Sequence, residues 1–177
     1  IISGLSSSLA ITNLGIMSEP LGIEFITNPI TGSVLLCQSK LEQSLLEEIN
    51  MPLANDRLLP LDPNIKLTKT PLDEIHTVVP ESVFPYMKVV GTMLQLVNCN
   101  RPDLAHAVGL LCRCNHAPCP THVAAAKGVL RYLFDTKHKG VSYTTTSTPL
   151  QGYCDSDYAG DVDGRKSTTG WIWTKNG

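Results

Sequence analysis

The spacing of apolar positions along this chain changes from stretch to stretch, and each change predicts a different element. Leu21, Ile23 and Phe25 fall on alternate positions, and a second short apolar run occupies residues 34–37, with Asn28-Pro29 and Thr31-Gly32 between them. This pattern predicts a β-hairpin with a longer loop. Ser39 stands three residues before Glu42 in a capping-box arrangement, and Leu41, Leu45, Leu46 and Ile49 follow at helical spacing, so a short amphipathic helix is expected next. Residues 51–85 then contain Pro52, Pro60, Pro63, Pro71, Pro80 and Pro85, which deny that stretch a long helix or a central strand. It reads as an extended linker crossing the surface.

Beyond the linker, Val83, Met87, Val90, Leu94 and Val97 repeat at steps of four and three, with Val89, Met93 and Leu96 on a second face. A largely buried helix is expected. Asn100-Arg101-Pro102-Asp103 resembles a helix start, with Pro in the first turn and an acid at the positive end of the dipole, ahead of Leu104, Val108 and Leu111. Arg101 and Asp103 are accordingly assigned to helix initiation and packing. A third helix from about Thr121 turns Val123, Ala126, Leu130 and Leu133 inward and sets Lys127, Arg131 and Asp135 on its opposite face. Residues 141–145, 151–155 and 169–174 read as strands, and the Asn176-Gly177 pair predicts a tight turn into a further strand. Two loosely joined parts are expected: a hairpin and helix over residues 21–50, and a helical block over 83–137 that leads into an incomplete antiparallel sheet.

Composition narrows the class without naming a chemistry. In 177 residues, 42% are hydrophobic and 17% charged, which excludes disordered and supercharged chains. No apolar run approaches the roughly 18 residues of a membrane-spanning helix. The opening Ile1-Ile2-Ser3 lacks Met and a basic leader, so the chain reads as an intracellular segment cut from a longer protein, with its six cysteines reduced. The formal net charge of -2 conceals a basic stretch: from Arg101 to Lys139 there are six Lys/Arg against two Asp. Asp155, Asp157, Asp161 and Asp163 follow within nine residues. Basic helices beside grouped carboxylates suit a protein that holds a polyanion near metal ions, although a solvated surface accounts for each half separately.

The densest constellation by residue type is Cys112, Cys114, His116, Cys119 and His122, but Cys-x-Cys is not the usual zinc knuckle spacing. Reduced cysteines packing at a corner between helices account for it better. Phosphate loops, dinucleotide turns, zincin helices and nucleophile elbows have no match. The run Tyr153-Cys154-Asp155-Ser156-Asp157-Tyr158-Ala159-Gly160-Asp161 ends a predicted strand with a carboxylate and a polar turn. Asp155 and Asp157 would share one face of an extended chain, where hard carboxylate oxygens can hold Mg2+ and leave positions for phosphate.

Four ordered stretches resemble the copia-type retrotransposon polyprotein, from the end of reverse transcriptase into RNase H. The first is Leu14-Gly15 with Leu21-Gly22-Ile23-Glu24 and Cys37-Gln38-Ser39. The second is Pro85-Tyr86, Val90-Gly91 and Asn100-Arg101-Pro102-Asp103-Leu104-Ala105 with Val108-Gly109. His122, Ala125, Lys127 and Leu130-Arg131-Tyr132-Leu133 form the third. The fourth runs from Gly152 to Asp161 and on to Arg165-Lys166-Ser167-Thr168-Thr169-Gly170. The family's Tyr-x-Asp-Asp polymerase turn and the later RNase H carboxylates are absent from these residues. Met87 and Lys88 replace an Arg-Ser-like pair, and Gln95 stands where an aromatic is common; these departures fit a divergent or decayed copy.

The resemblance implies an α+β fold in four parts: residues 1–51 as the end of the palm and start of the thumb, 52–85 as a Pro-rich linker, 86–139 as helical thumb and connection, and 140–177 as the first strands of an RNase H-like sheet. It implies a parent that copies RNA into DNA and cuts the RNA of an RNA–DNA hybrid with Mg2+, away from any membrane. Asp155 would bridge metals, with Asp157 a weaker ligand, and Lys127, Arg131 and Lys137 would contact phosphates. The isolated chain would be inactive. A non-enzymatic transposon remnant and a nucleic-acid-binding adaptor are the alternatives.

Overall fold

Strand alternation in the first segment builds the expected hairpin: β1 (Glu24–Thr27) pairs antiparallel with β2 (Val34–Cys37), Glu24 opposite Cys37 and Thr27 opposite Val34. The computed structural model describes residues 10–12, 19–50, 57–71, 74, 77–145 and 147–175. Leu14-Gly15 and the Asn176-Gly177 turn lie outside the described residues. The hairpin loop closes on Asn28, whose Oδ1 accepts the N–H groups of Ile30 and Thr31, at 2.9 and 3.3 Å.

Helix α1 (Ser39–Ile49) follows, but without the expected capping box. Gln38 takes the N-cap position, Ser39 is already helical, and Glu42 is buried and turned toward Arg101 instead of its own helix end. Leu45 is buried and Leu41, Leu46 and Ile49 pack against the core, as their spacing requires. The helix ends on Asn50 in the left-handed conformation, φ 44°, one of the few non-glycine residues that accepts it.

Three further helices form the main core: α2 (Tyr86–Cys99), α3 (Ala105–Cys112) and α4 (Pro120–Asp135). The buried face of α2 differs from the expected leading stripe. Val83, Met87 and Leu94 are exposed, while Tyr86, Val89, Val90, Met93 and Leu96 are sealed. Pro85 is the N-cap, so Val83 precedes the helix and Tyr86 opens its inward face, its hydroxyl donating to the Leu111 carbonyl at 3.1 Å. The other two helices match their spacing: Leu104, Val108 and Leu111 are buried, as are Val123, Ala126, Leu130 and Leu133. Each such aliphatic side chain contributes about 1.5–3 kcal/mol on leaving water.

The Pro-rich stretch does more than cross the surface. Leu61 and Phe84 plug into the core cluster, the Val79 N–H bonds to the Pro118 carbonyl, and the Arg57 N–H bonds to Asp135 Oδ2 at 2.9 Å.

The largest correction concerns β3 (Val141–Tyr143). It pairs antiparallel with β2, Leu36 opposite Val141 and Val34 opposite Tyr143, which makes a three-stranded sheet in the order β1-β2-β3. Only β4 (Gln151–Ser156) and β5 (Thr169–Thr174) form the second sheet, a two-stranded antiparallel ribbon. The hairpin piece and the helical block are therefore joined by a strand pairing, by Leu45 within the common core and by the Glu42–Arg101 hydrogen bond. The loose junction expected from the prolines is not what forms. Among the described residues no helix is long and apolar enough to cross a membrane.

Candidate functional site

The carboxylates of residues 155–163 sit at one end of the ribbon, and strand pairing separates their roles. Asp155 is still inside β4, opposite Gly170 of β5, which presents no side chain beside it. Strand alternation puts Asp155 on the face of Tyr153 and Ile172, and puts Cys154, Trp171 and Trp173 on the other. Asp155 is exposed, and one carboxylate oxygen accepts the Ser156 N–H at 2.9 Å.

Asp157 does not continue that face, because β4 ends at Ser156. Its N–H bonds to the Thr168 carbonyl and its Oδ1 accepts the Thr168 N–H, so its carboxylate closes the loop. Gly160 lets it fold inward: a Cβ there would stand 2.1 Å from Asp157 Oδ2. Asp161 accepts the Gly164 N–H at 3.1 Å and meets Arg113 at 3.5 Å, while Asp163 accepts the Lys69 N–H at 2.8 Å. Three of the four aspartates thus tie the loop to itself, to Arg113 at the end of α3 or to Lys69 of the Pro-rich stretch. Asp155, among the described residues, takes up only the N–H of the adjacent Ser156. Among the described residues no group of three His, Cys, Asp or Glu converges as a metal site. Asp155 fits the part of a single hard-oxygen ligand, while Asp157 gives one of its oxygens to the Thr168 N–H.

The three cations expected to face phosphates divide into two places. Arg131 and Lys137 line a groove of about 410 Å³ between α1 and α4, over Leu46, Leu130 and Phe134 and beside Glu47. Lys137 lies 5.1 Å from the centre of the Phe134 ring. Lys127 sits instead against Phe84, 5.5 Å from its ring centre, in a separate hollow with Val83 and Val123. The face of α4 that bears these residues is half-covered rather than open to solvent, because Arg57 packs beside Gly128 and Asp135 receives the Arg57 N–H.

The Cys/His constellation resolves into helix capping. At the start of α4, His122 Nδ1 accepts the Cys119 N–H at 3.0 Å. Nε2 lies 2.8 Å from the Thr68 carbonyl, which can only accept, so Nε2 carries the proton. Both ring nitrogens are spent. Cys114 is buried, and burial pushes its thiol up to about 11; burial likewise raises Cys112. Cys119 is only partly buried, and hydrogen bonds from Thr121 and from the backbone at the helix start outweigh that burial and lower its thiol. All six cysteines are unpaired.

The polar centre that sequence reasoning missed is Arg101. Its side chain is fully buried, bound to both oxygens of Asp103, to Glu42 and to Thr136. The Asn-Arg-Pro-Asp run announces a helix start; nothing in it announces a partner 59 residues earlier.

No family model matches the chain, and no solved structure matches it. Curated proteins do. The chain is 34% identical over 177 residues to the retrovirus-related Pol polyprotein of transposon TNT 1-94 of Nicotiana tabacum, across 98% of the chain and 13% of that polyprotein. It is 31% identical over 176 residues to the uncharacterized mitochondrial protein AtMg00810 of Arabidopsis thaliana, across 97% of the chain and 68% of that protein. Over 94 residues, 52% of the chain, it is 48% identical to secreted RxLR effector protein 161 of Plasmopara viticola, of which the match covers 66%. The chain thus spans about an eighth of the tobacco polyprotein and about two thirds of the two shorter relatives.

Proposed function

This chain belongs to the family of retrotransposon Pol polyproteins, and we propose that it is the stretch of a copia-type Pol that joins reverse transcriptase to RNase H. In this reading β1, β2 and α1 close the palm and open the thumb, α2 to α4 form the thumb and connection, and β4 and β5 are the first two RNase H strands. The partner is an RNA–DNA hybrid. The observation that carries the reading is Asp155: a strand-borne, exposed carboxylate beside Gly170 that takes up only the adjacent Ser156 N–H among the described residues, while Asp157, Asp161 and Asp163 are engaged by Thr168, by Gly164 and Arg113, and by Lys69.

Asp155 would supply one oxygen ligand to Mg2+, with the remaining ligands outside these residues. Bound divalent ions would activate water and stabilise the leaving oxygen of the cut strand. Two carboxylates, one of them engaged by Thr168, do not offset the charge of two such ions, so the chain by itself is expected to be silent. Arg131 and Lys137 at the α1–α4 groove, with Lys127 apart from them, would hold phosphates without regard to sequence. The test is cleavage of an RNA–DNA hybrid by the chain extended with the polyprotein sequence that follows it, with and without Asp155→Asn.

A second reading has one observation in its favour. The Plasmopara protein carries a segment 48% identical to half of this chain within a protein whose stated role is that of a secreted effector, so the segment also occurs outside a Pol polyprotein. A non-enzymatic remnant or a nucleic-acid-binding adaptor would have the same helices and no use for Asp155.

A further inference from the structure

The joint between α1 and the helical block encloses one cation and two carboxylates. Arg101 spends its donors unevenly. Its Nε and Nη2 meet both oxygens of Asp103 at 3.0 and 2.9 Å, and Nη2 also donates to the Thr136 hydroxyl at 2.6 Å. Nη1 is shared between the Thr136 carbonyl and Glu42 Oε1, both at 3.2 Å. Asp103 thus takes the better-formed pair, accepts a further bond from the Tyr132 hydroxyl at 2.9 Å, and keeps 35% of its side chain in solvent.

Glu42 has none of these advantages. Its side chain is 1% exposed, and its Oε2 is buried without a partner among the described residues. If it ionised, the cluster would hold a net negative charge in a closed space, with one anionic oxygen lacking both water and a donor. That is a costly arrangement for a carboxylate. A proton on Oε2 removes the excess charge and leaves the Arg101–Oε1 contact in place.

We propose that Glu42 keeps its proton in the folded chain through mildly acidic pH, up to near neutrality, and acts as a proton-operated latch, holding α1 against Arg101 when neutral and loosening the seat of α1 and its hairpin when ionised. Burial pushes the Glu42 carboxyl up to about 7 against the pull of Arg101, and the negative charges of Asp103 and Glu24 add to the rise. The charged and titratable groups facing it are Arg101 and Asp103 from the α2–α3 connection, Glu24 from β1 and, behind Asp103, Tyr132 of α4. Lys139 stands beyond them, 5.7 Å from the centre of the Tyr132 ring.

The direction of the linkage follows from the raised value. The unfolded chain releases this proton in the ordinary carboxylate range, near pH 4, whereas the folded chain keeps it to about pH 7. The latch's contribution is complete below the first value, is lost progressively as pH rises to the second, and is absent above it.

The test is a carboxyl-carbon NMR titration of the glutamates in the unaltered chain, with Glu42→Gln to assign the resonance and to supply a permanently neutral latch. One glutamate should titrate near neutrality, and its resonance should vanish in the variant. Between pH 5 and 7 the folding equilibrium constant of the unaltered chain should fall more steeply than that of Glu42→Gln, by up to about tenfold per pH unit. Titration of every glutamate near pH 4, or parallel pH profiles for the two chains, would overturn the proposal. The titration needs only the unaltered chain, so a poorly folding variant does not prevent a decision.

Discussion

Gly140 runs so close to Leu36 that a Cβ added to it would stand 2.1 Å from the Leu36 carbonyl oxygen and 3.0 Å from its carbon. The obstruction is backbone, which cannot rotate away. Gly140 is the last residue before β3, and its missing side chain lets that strand reach β2.

Gly140→Ala should therefore displace the start of β3 and cost about 1–3 kcal/mol, the usual penalty for forcing an extra methyl into a packed site. Amide exchange at residues 141–143 and at β2 should accelerate, with α3 and α4 little affected. A variant as stable as the unaltered chain, with β2 equally protected, would mean that β3 does not pair there.

Arg101→Met removes the guanidinium at the centre of the buried joint. Methionine approximates the volume, so the loss falls on Glu42 and Thr136, which stay buried without the guanidinium, and on the part-exposed Asp103, which keeps only the Tyr132 hydroxyl. Breaking a buried ion pair from one side costs roughly 3–5 kcal/mol, and with Asp103 35% exposed the loss here should fall at or below the lower end of that range, to be read from the midpoint of denaturant unfolding. Adding Asp103→Asn, which removes the carboxylate left without its cation, should recover part of that loss. A single variant within about 0.5 kcal/mol of the unaltered chain, the range of an ordinary surface substitution, would show that the joint is not closed.

How much of this was readable from residues alone depends on whether the information is local. The inward face of α4, with Val123, Ala126, Leu130 and Leu133, was legible because only one apolar stripe fits it. On α2 two stripes compete, and the choice was decided by Pro85 fixing the helix start and Tyr86 reaching Leu111. The strand at 141–143 was readable as a strand, but its partner β2 lies over a hundred residues away, and the only local hint was Gly140. In the candidate site the Asp155 position was visible in the sequence. That Asp157 gives an oxygen to the Thr168 N–H was not, because this depends on where β4 ends and on how the loop returns to β5.

The cation groups make separable contributions to nucleic-acid affinity. Neutralising Arg131 and Lys137, which share the α1–α4 groove, should weaken binding to an RNA–DNA hybrid uniformly across sequences. The salt dependence should flatten by about one unit of log–log slope for each phosphate that no longer meets a cation. Adding Lys127→Gln, at its separate place against Phe84, should weaken binding further. Fluorescence titration at several salt concentrations reads both quantities. Unchanged affinity and slope in the triple variant would return these residues to ordinary surface.

The central claim, that Asp155 is a metal-binding carboxylate of an RNase H whose beginning this chain forms, is tested most directly by cutting a labelled RNA–DNA hybrid in Mg2+. Three proteins are compared: the present chain, the chain extended through the polyprotein sequence that follows it, and the extended chain with Asp155→Asn. With the extension drawn from an intact copy of the element, only the second should release RNA fragments, and omission of Mg2+ should silence it. Cleavage by the present chain, or full activity in the Asp155→Asn protein, would contradict the assignment.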